Sequence, residues 1–306
     1  MASVGDIDGF SLDRIISLQN IAASEKKTKD VSPMQLRLLQ HHDLPGAMRL
    51  KEAAHWNQTK EDWERLLELE PDGCFVISQD NAVAASATAV VYGVDLAWIG
   101  MVLTLPEFRK RGFSARLMER VLEFAASSGA GKVALDATDM GFPIYRSFGF
   151  ETESIVERWE LPVNSAPVSP PAVNRWQPSP NLDLHAFGAD RSRLLASLAR
   201  VGAASAGEGE GYAMARPGSR AAYFGPCVAK SPEAAEDLLR WFLAQHSQEQ
   251  LCWDIPLDNP KAVALAQRYG FQPMRRLRRM VRNLAAATSM NPTYSYVFAI
   301  AGFEYG

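Results

Sequence analysis

Apolar and polar positions alternate along this chain in two rounds of one pattern. The first round opens with a strand from Met34 to Gln40 and a helix from Pro45 to His55, which carries Ala47, Leu50, Ala53 and Ala54 on one side. A second helix is predicted from Lys60 to Leu69. Three strands follow, Cys74 to Ser78, Ala82 to Tyr92 and Asp95 to Thr104. The turn signals Gln79-Asp80-Asn81 and Gly93 separate them, and such tight links predict an antiparallel meander. After Pro106 the period lengthens to that of a helix: Phe113, Leu117, Val121 and Phe124 recur on one face, with Arg116, Glu119, Arg120 and Glu123 elsewhere. A strand from Lys132 to Asp136, a short helix from Phe142 to Phe148 and a strand from Glu151 to Leu161 complete the order β-α-α-β-β-β-α-β-α-β.

Prolines 162, 167, 170, 171, 178 and 180 then interrupt the chain, a composition incompatible with helix or central strand, and are read as a domain linker. Beyond them the pattern restarts. A helix is expected from Asp190 to Val201, strands from Gly211 to Ala215 and Arg220 to Ala229, and a helix from Pro232 to Gln245. A strand from Leu251 to Ile255, a short helix from Pro260 to Tyr269, apolar-basic alternation through Arg275 to Arg282 and a last strand from Tyr296 to Phe303 follow. The resulting division is a loosely held leader over 1–31, a first domain over 32–162, a Pro-rich linker over 163–181 and a second domain over 182–306.

Length and charge narrow the picture. At 306 residues the chain is about twice a common domain length, and its 47% apolar and 22% charged residues are those of a globular protein. A net charge of -3, from 32 basic and 35 acidic residues, leaves no positive excess for a nucleic-acid backbone, so any anion site must be local. The apolar stretches are too short to span a membrane, and Asp6, Asp8 and Asp13 stand where a secretory signal would be basic and then apolar. The cytosol is therefore the expected location, with neither nucleic acid nor membrane as partner. Cys74, Cys227 and Cys252 sit in apolar runs at no metal-like spacing and read as buried free thiols. His41 and His42 lack partners at ligand spacing, so no metal is expected.

Leu103 to Ala115, LTLPEFRKRGFSA, is the most informative stretch. A strand ends, a proline breaks pairing, and a basic turn opens an amphipathic helix. The first amides of a helix lack intrahelical acceptors and carry the positive end of its dipole, so a pyrophosphate can dock there. Gly112 permits close approach of the backbone, Arg109, Lys110 and Arg111 add charge, and small Ser114 keeps the entrance open; Phe113 begins the helix.

Thr138 to Phe150, TDMGFPIYRSFGF, follows the next strand at the distance one βα unit requires. Together the two segments resemble the GCN5-related N-acetyltransferase (GNAT) family. Its cofactor loop has Arg or Gln, two residues, Gly, one residue, then Gly or Ala; here Arg109, Gly112 and Ser114 hold those places, with serine a departure. Tyr145, Gly149 and Phe150 match the family's tyrosine followed four residues later by Gly-Phe, while Thr138 stands where an asparagine is common. The resemblance covers about Met34 to Leu161. The second half resembles the family in a worn form: Asn259, Ala262, Leu265, Gly270 and Phe271 fit the later motif, Ala266 replaces the tyrosine, and Ala229-Lys230-Ser231-Pro232-Glu233 lacks the glycine loop.

The resemblance implies an α/β (α+β) fold of two GNAT-like domains, each a mixed, mainly antiparallel twisted sheet flanked by helices. It implies acetyl-CoA as acyl donor, an amine of a small molecule or peptide as acceptor, and direct attack in a ternary complex. Val102, Leu103 and Thr104, on a strand that splays from its neighbour, would hold the thioester carbonyl and pantetheine arm, Thr138 would touch the cofactor, and Tyr145 would give the thiolate its proton. No coenzyme is expected in the second domain. Asp95, Glu107 and Asp139 are available as bases, with none assigned. Acceptor recognition is expected from Trp56 and Asn57, within His55-Trp56-Asn57-Gln58-Thr59, and from Trp98. Arg275, Arg276, Arg278, Arg279 and Arg282 read as a solvated strand face rather than a substrate patch. A coenzyme A sensor or interaction module without turnover, or an acyltransferase with another donor, would share these residues.

Overall fold

Short polar turns between apolar runs fold the first half nearly as its pattern reads. The computed structural model describes residues 34–80, 82–163, 168–284 and 292–306; the leader over 1–31 lies outside them. Strand β1 (Gln35–Leu38) leads to helices α1 (Leu44–Ala53) and α2 (Lys60–Leu69), then to β2 (Cys74–Gln79), β3 (Ala82–Tyr92), β4 (Leu96–Thr104), α3 (Phe113–Ser127), β5 (Lys132–Ala137), α4 (Phe142–Ser147) and β6 (Glu151–Leu161). Helix α2 starts where it does because Thr59 and Asp62 cap it reciprocally, the Thr59 amide donating to Asp62 Oδ2 at 2.9 Å and the Asp62 amide to Thr59 Oγ1 at 3.4 Å.

The second half holds β7 (Asn174–Arg175), α5 (Pro180–Phe187), α6 (Ser192–Ala199), β8 (Ala203–Ala206), β9 (Gly211–Arg216), β10 (Ala222–Ala229), α7 (Pro232–Gln245), β11 (Leu251–Pro256), α8 (Pro260–Arg268), β12 (Gln272–Asn283) and β13 (Val297–Ala299). Three elements are additions to the sequence reading: β7, α5 and β8. The linker prolines concealed α5, yet Pro180 opens it at a position that needs no amide donor, and Gly188 closes it at φ +86°. β7 is a two-residue strand at the sheet's edge, where proline-rich chain is tolerated.

The strands of the described residues join one mixed sheet in the order β1-β2-β3-β4-β5-β12-β6-β11-β10-β9-β8-β7, with β13 paired to β10. Only β4 with β5 and β10 with β11 run parallel; the other pairs are antiparallel. The halves exchange strands at the centre. β12 of the second half lies against β5 of the first, from Arg278 opposite Ala137 to Asn283 opposite Lys132. β6 of the first half lies against β11 of the second, from Leu251 opposite Leu161 to Pro256 opposite Val156. Helix α3 covers one face of the first half through Phe113, Leu117 and Val121 over Phe75, Ile77 and Ile99. On the other face Leu50, Trp63 and Trp98 share a core with Tyr212, Met214 and Val297 of the second half.

Two buried ion pairs fix this seam. Arg158 on β6 grips Asp254 on β11 at 2.8 and 2.7 Å, and Arg279 on β12 grips Asp136 on β5 at 2.9 and 2.9 Å. Removing one partner of such a pair leaves a buried charge uncompensated and costs about 3–5 kcal/mol. Asp254→Ala is accordingly expected to lower the unfolding free energy by about that amount. Because Asp254 lies on the exchanged strands, denaturant unfolding of the variant should remain a single transition at lower midpoint. A separate early transition of the second half would contradict the shared seam.

The cysteines are buried and unpaired, and burial pushes the thiols of Cys74 and Cys252 up to about 12. His41 and His42 lie in a single 3-10 turn ending at Asp43. Among the described residues no group of three or more His, Cys, Asp or Glu is placed to hold a metal ion, and no helix is long and apolar enough to cross a membrane.

Candidate active site

The basic turn between β4 and α3 is shaped by two residues in the left-handed region, Lys110 at φ +61° and Gly112 at φ +78°. Gly112 is the N-cap of α3, and no side chain caps that helix. The amides of Gly112, Phe113, Ser114 and Ala115 therefore have no acceptor among the described residues, the first helical hydrogen bond running from the Arg116 amide to the Gly112 carbonyl. A Cβ on Gly112 would meet nothing within 4 Å, so the approach to these amides is open. Arg109, Lys110 and Arg111 are exposed around it. Arg109 Nε donates to the Thr104 carbonyl at 3.3 Å, and Arg111 stacks over Phe108 at 5.1 Å. Phe113 turns its ring inward against Phe108, so only its backbone faces the turn.

Next to the turn the sheet opens. β4 and β5 pair from Leu96 opposite Lys132 only as far as Trp98 opposite Ala134, and then diverge. β4 is bent there by a bulge: its pairing with β3 skips between Leu103 opposite Ser86 and Gly100 opposite Thr88, and Met101 sits at φ +50°. The Ser86 hydroxyl donates to the Met101 carbonyl at 2.7 Å and holds this strained turn in place. Such a conformation costs a non-glycine residue about 1–3 kcal/mol and persists only where its surroundings enforce it.

The opening is a cleft of ≈ 470 Å³, within the usual range for small-molecule sites. Of the residues singled out from the sequence, it gathers Val102, Leu103, Thr104, Arg109, Ser114, Thr138, Tyr145 and Trp56 along its walls. Thr104 Oγ1 and Ser114 Oγ lie 3.1 Å apart, and the Thr138 hydroxyl accepts from the Gly141 amide at 3.2 Å. Tyr145 is buried against Phe150 and Gly141, and its hydroxyl has no hydrogen bond among the described residues. Burial pushes its phenol well above the usual range, so it remains protonated.

Trp98 and Asn57 lie away from the cleft. The Trp98 indole donates to the Phe303 carbonyl at 3.0 Å and its ring lies under Arg279 at 4.6 Å. Asn57 clamps the halves together, accepting from the amides of Arg220 and Ala221 and donating to the Ala221 carbonyl at 2.9 Å. Of the carboxylates named as bases, Asp95, Glu107 and Asp139 are all absent from the cleft walls, and Asp139 pairs with Arg278 on the surface. The carboxylate that does line the cleft is Asp136, missed because its partner Arg279 lies 143 residues away. Its one sequence signal was a charge inside the apolar run Lys132–Ala137. Burial raises its pKa, against the lowering effect of Arg279. The arginine run on β12 is likewise not uniformly solvated: Arg279 is buried in the seam and Arg275 lines the cleft.

Residues 39–150 match the acetyltransferase (GNAT) family, and residues 180–298 match a second acetyltransferase (GNAT) domain. The chain belongs to the GNAT acetyltransferase family, as a tandem protein. No curated protein matches it. Among solved structures it is similar to a putative acetyltransferase from Pyrococcus horikoshii, with 24% identity and a TM-score of 0.77 over 90% of this chain and 96% of that one. A GCN5-related N-acetyltransferase from Sphaerobacter thermophilus is 14% identical, with a TM-score of 0.65 over 85% and 98% of the two chains. A tandem GNAT protein from the clavulanic acid biosynthesis pathway is also 14% identical, with a TM-score of 0.59 over 83% and 100%. These likenesses are of fold.

The second GNAT unit repeats the splay without the opening. β10 and β11 pair only from Ala222 opposite Leu251 to Phe224 opposite Trp253. Past that point β13 is wedged between them: Cys227 pairs with Ala299, the Ile300 amide donates to the Asp254 carbonyl at 3.0 Å, and Asn259 Nδ2 donates to the Val297 carbonyl at 3.0 Å. The helix start is closed as well, because Ser231 Oγ accepts from the Ala234 amide at 3.2 Å and Glu233 adds negative charge to the first turn of α7. The chain's own backbone thus fills in this copy the gap left open in the first.

Proposed function

We propose that the protein is an N-acetyltransferase with a single active site in its first half, moving the acetyl group of acetyl-CoA to an amine of a small molecule or peptide in a ternary complex. One observation carries this reading: a run of amides without acceptors, ringed by arginines, opens onto a strand gap that holds a protonated tyrosine. That fits a long anionic thioester with its phosphates at the α3 start and its reactive end in the gap. The N-H groups of Gly112, Phe113 and Ser114 would bind pyrophosphate, with Arg109 beside them. The free edge of β4 around Val102, Leu103 and Thr104 would hold the amide-bearing arm and the thioester carbonyl.

The coenzyme supplies an activated carbonyl whose C–S bond breaks as the amine nitrogen forms the new C–N bond. Tyr145 donates its phenolic proton to the departing sulfur, and the proton released by the amine leaves to solvent through the open cleft. Asp136 is held in the cleft wall as the counter-charge of Arg279, with both of its oxygens occupied. Trp56 would form part of the acceptor wall.

Incubation with acetyl-CoA and a panel of amines should release free thiol only when an acceptor is present. Tight binding of acetyl-CoA without acceptor-dependent thiol would overturn the enzymatic reading in favour of a sensor. Glu233→Ala, at the closed second copy, should leave both acetyl-CoA affinity and stoichiometry unchanged; appearance of a second binding event would contradict the one-site reading.

A further inference from the structure

Among the described residues the buried arginines come with carboxylates, whereas half-buried Arg275 does not. Arg158 holds Asp254, Arg191 holds Asp183, Arg279 holds Asp136, and Arg216 holds Glu304 and Asp62. Arg275 on β12 has no ion pair and no hydrogen bond among the described residues, and its Nε is buried without a partner. Of the acids that act on it, Asp254 is gripped by Arg158, and Glu160 accepts from Gln250 at 2.9 Å and makes no ion pair with Arg275. Burial, and then the charge of Arg158, push the Arg275 guanidinium down to about 10, so it remains charged at neutral pH in surroundings that disfavour the charge.

Its place explains why such a group is useful. Arg275 lines the same cleft as Tyr145 and Asp136, three residues before β12 begins pairing with β5 at Arg278. Two separate cores meet at this cleft. Tyr145 and Phe113 belong to the one under α3, whereas Leu277 and Phe303 belong to the other, against which Trp56 packs. The cleft thus passes through the sheet, and the α3 amides and Arg275 lie on different sides of it. The guanidinium lies over the Phe303 ring, 5.2 Å from its centroid. A planar fork, set over an aromatic ring, lacking a counter-charge and reached from the side opposite the pyrophosphate turn, is built to receive a carboxylate in bidentate fashion.

We propose that Arg275 binds a carboxylate of the acceptor, so that the amine acetylated in this cleft belongs to an amino acid or a related amino-carboxylate. This rests on the acetyltransferase reading above. Arg275 is then a specificity residue, and the acceptor supplies the counter-charge that the fold withholds.

The test compares wild type with Arg275→Met on amino acids and their decarboxylated amines, using thiol release for turnover and calorimetry for binding. Wild type should favour the carboxylate-bearing member of each pair. The variant should raise KM for that member on the order of 30-fold, the worth of a charged hydrogen bond, leave the decarboxylated amine and acetyl-CoA unaffected, and melt no lower than wild type. Equal use of both members by wild type would overturn the proposal while leaving the enzyme intact. A variant that melts lower and loses all activity in parallel would make Arg275 structural and overturn it as well. A shift confined to dicarboxylic acyl-CoA donors would assign the carboxylate to the acyl group instead. Calorimetric binding of amino acids that depends on Arg275, without any turnover, would uphold the carboxylate site and remove the acetyltransferase reading.

Discussion

Gly112→Glu is expected to abolish acetyl-CoA binding, with an affinity loss of at least ~100-fold, or about 2.7 kcal/mol. The reasoning separates conformation from charge. Gly112 sits at φ +78°, so any side chain there costs about 1–2 kcal/mol of backbone strain. A Cβ would meet nothing within 4 Å, so the protein itself can accommodate the substitution. Gly112→Ala should therefore fold at a stability cost of about 1–2 kcal/mol and lose at most about tenfold in affinity, because strain shared by the free and the bound protein cancels from binding. Glutamate adds a negative charge where two phosphates are to lie against the open α3 amides, and like charges in that geometry oppose binding directly. Calorimetric titration of both variants, with circular dichroism to confirm folding, checks the difference. Equal, small losses for alanine and glutamate would mean that the phosphates lie elsewhere.

Tyr145→Phe should lower kcat by about 100-fold while leaving the acetyl-CoA dissociation constant within about twofold, because a general acid acts in the transition state and adds little to ground-state binding. The phenol has no hydrogen bond among the described residues to lose, and phenylalanine preserves the contact with Phe150, so folding should be spared. The pH dependence follows from the direction of the shift. Burial raises the phenol pKa above its ordinary value near ~10. The protonated donor form therefore persists as pH rises to ~10, and wild-type kcat should show no loss from phenol ionisation below that point. An unchanged kcat in the phenylalanine variant would reduce Tyr145 to a packing residue.

Much of the first half could be read from its pattern because its signals are local. The helix over Lys60–Leu69 has a capping box, the strand over Ala82–Tyr92 is a long run of apolar and small residues between turn signals, and the turn before Phe113 announces an anion site through glycine and charge. Strand exchange was not legible. A period of two assigns β6 and β12 an inner face but carries no information on which neighbour they pair with, and the two strands carry similar apolar-charged alternation. The same limit concealed Asp136 and Arg275. Their roles depend on partners brought together by that exchange, or, for Arg275, on the absence of one. The wedge of β13 into the second splay was equally hidden, since Tyr296 to Phe303 reads as a strand whichever edge it joins.

A crystal structure of the protein with coenzyme A tests the central claim most directly. Pyrophosphate oxygens should lie within hydrogen-bond distance of the Gly112, Phe113 and Ser114 amides, with the sulfur in the β4–β5 gap beside Tyr145 and β13 still seated between β10 and β11. Pyrophosphate bound instead at Ser231–Glu233, or a coenzyme bound with its sulfur outside the gap, would contradict the account.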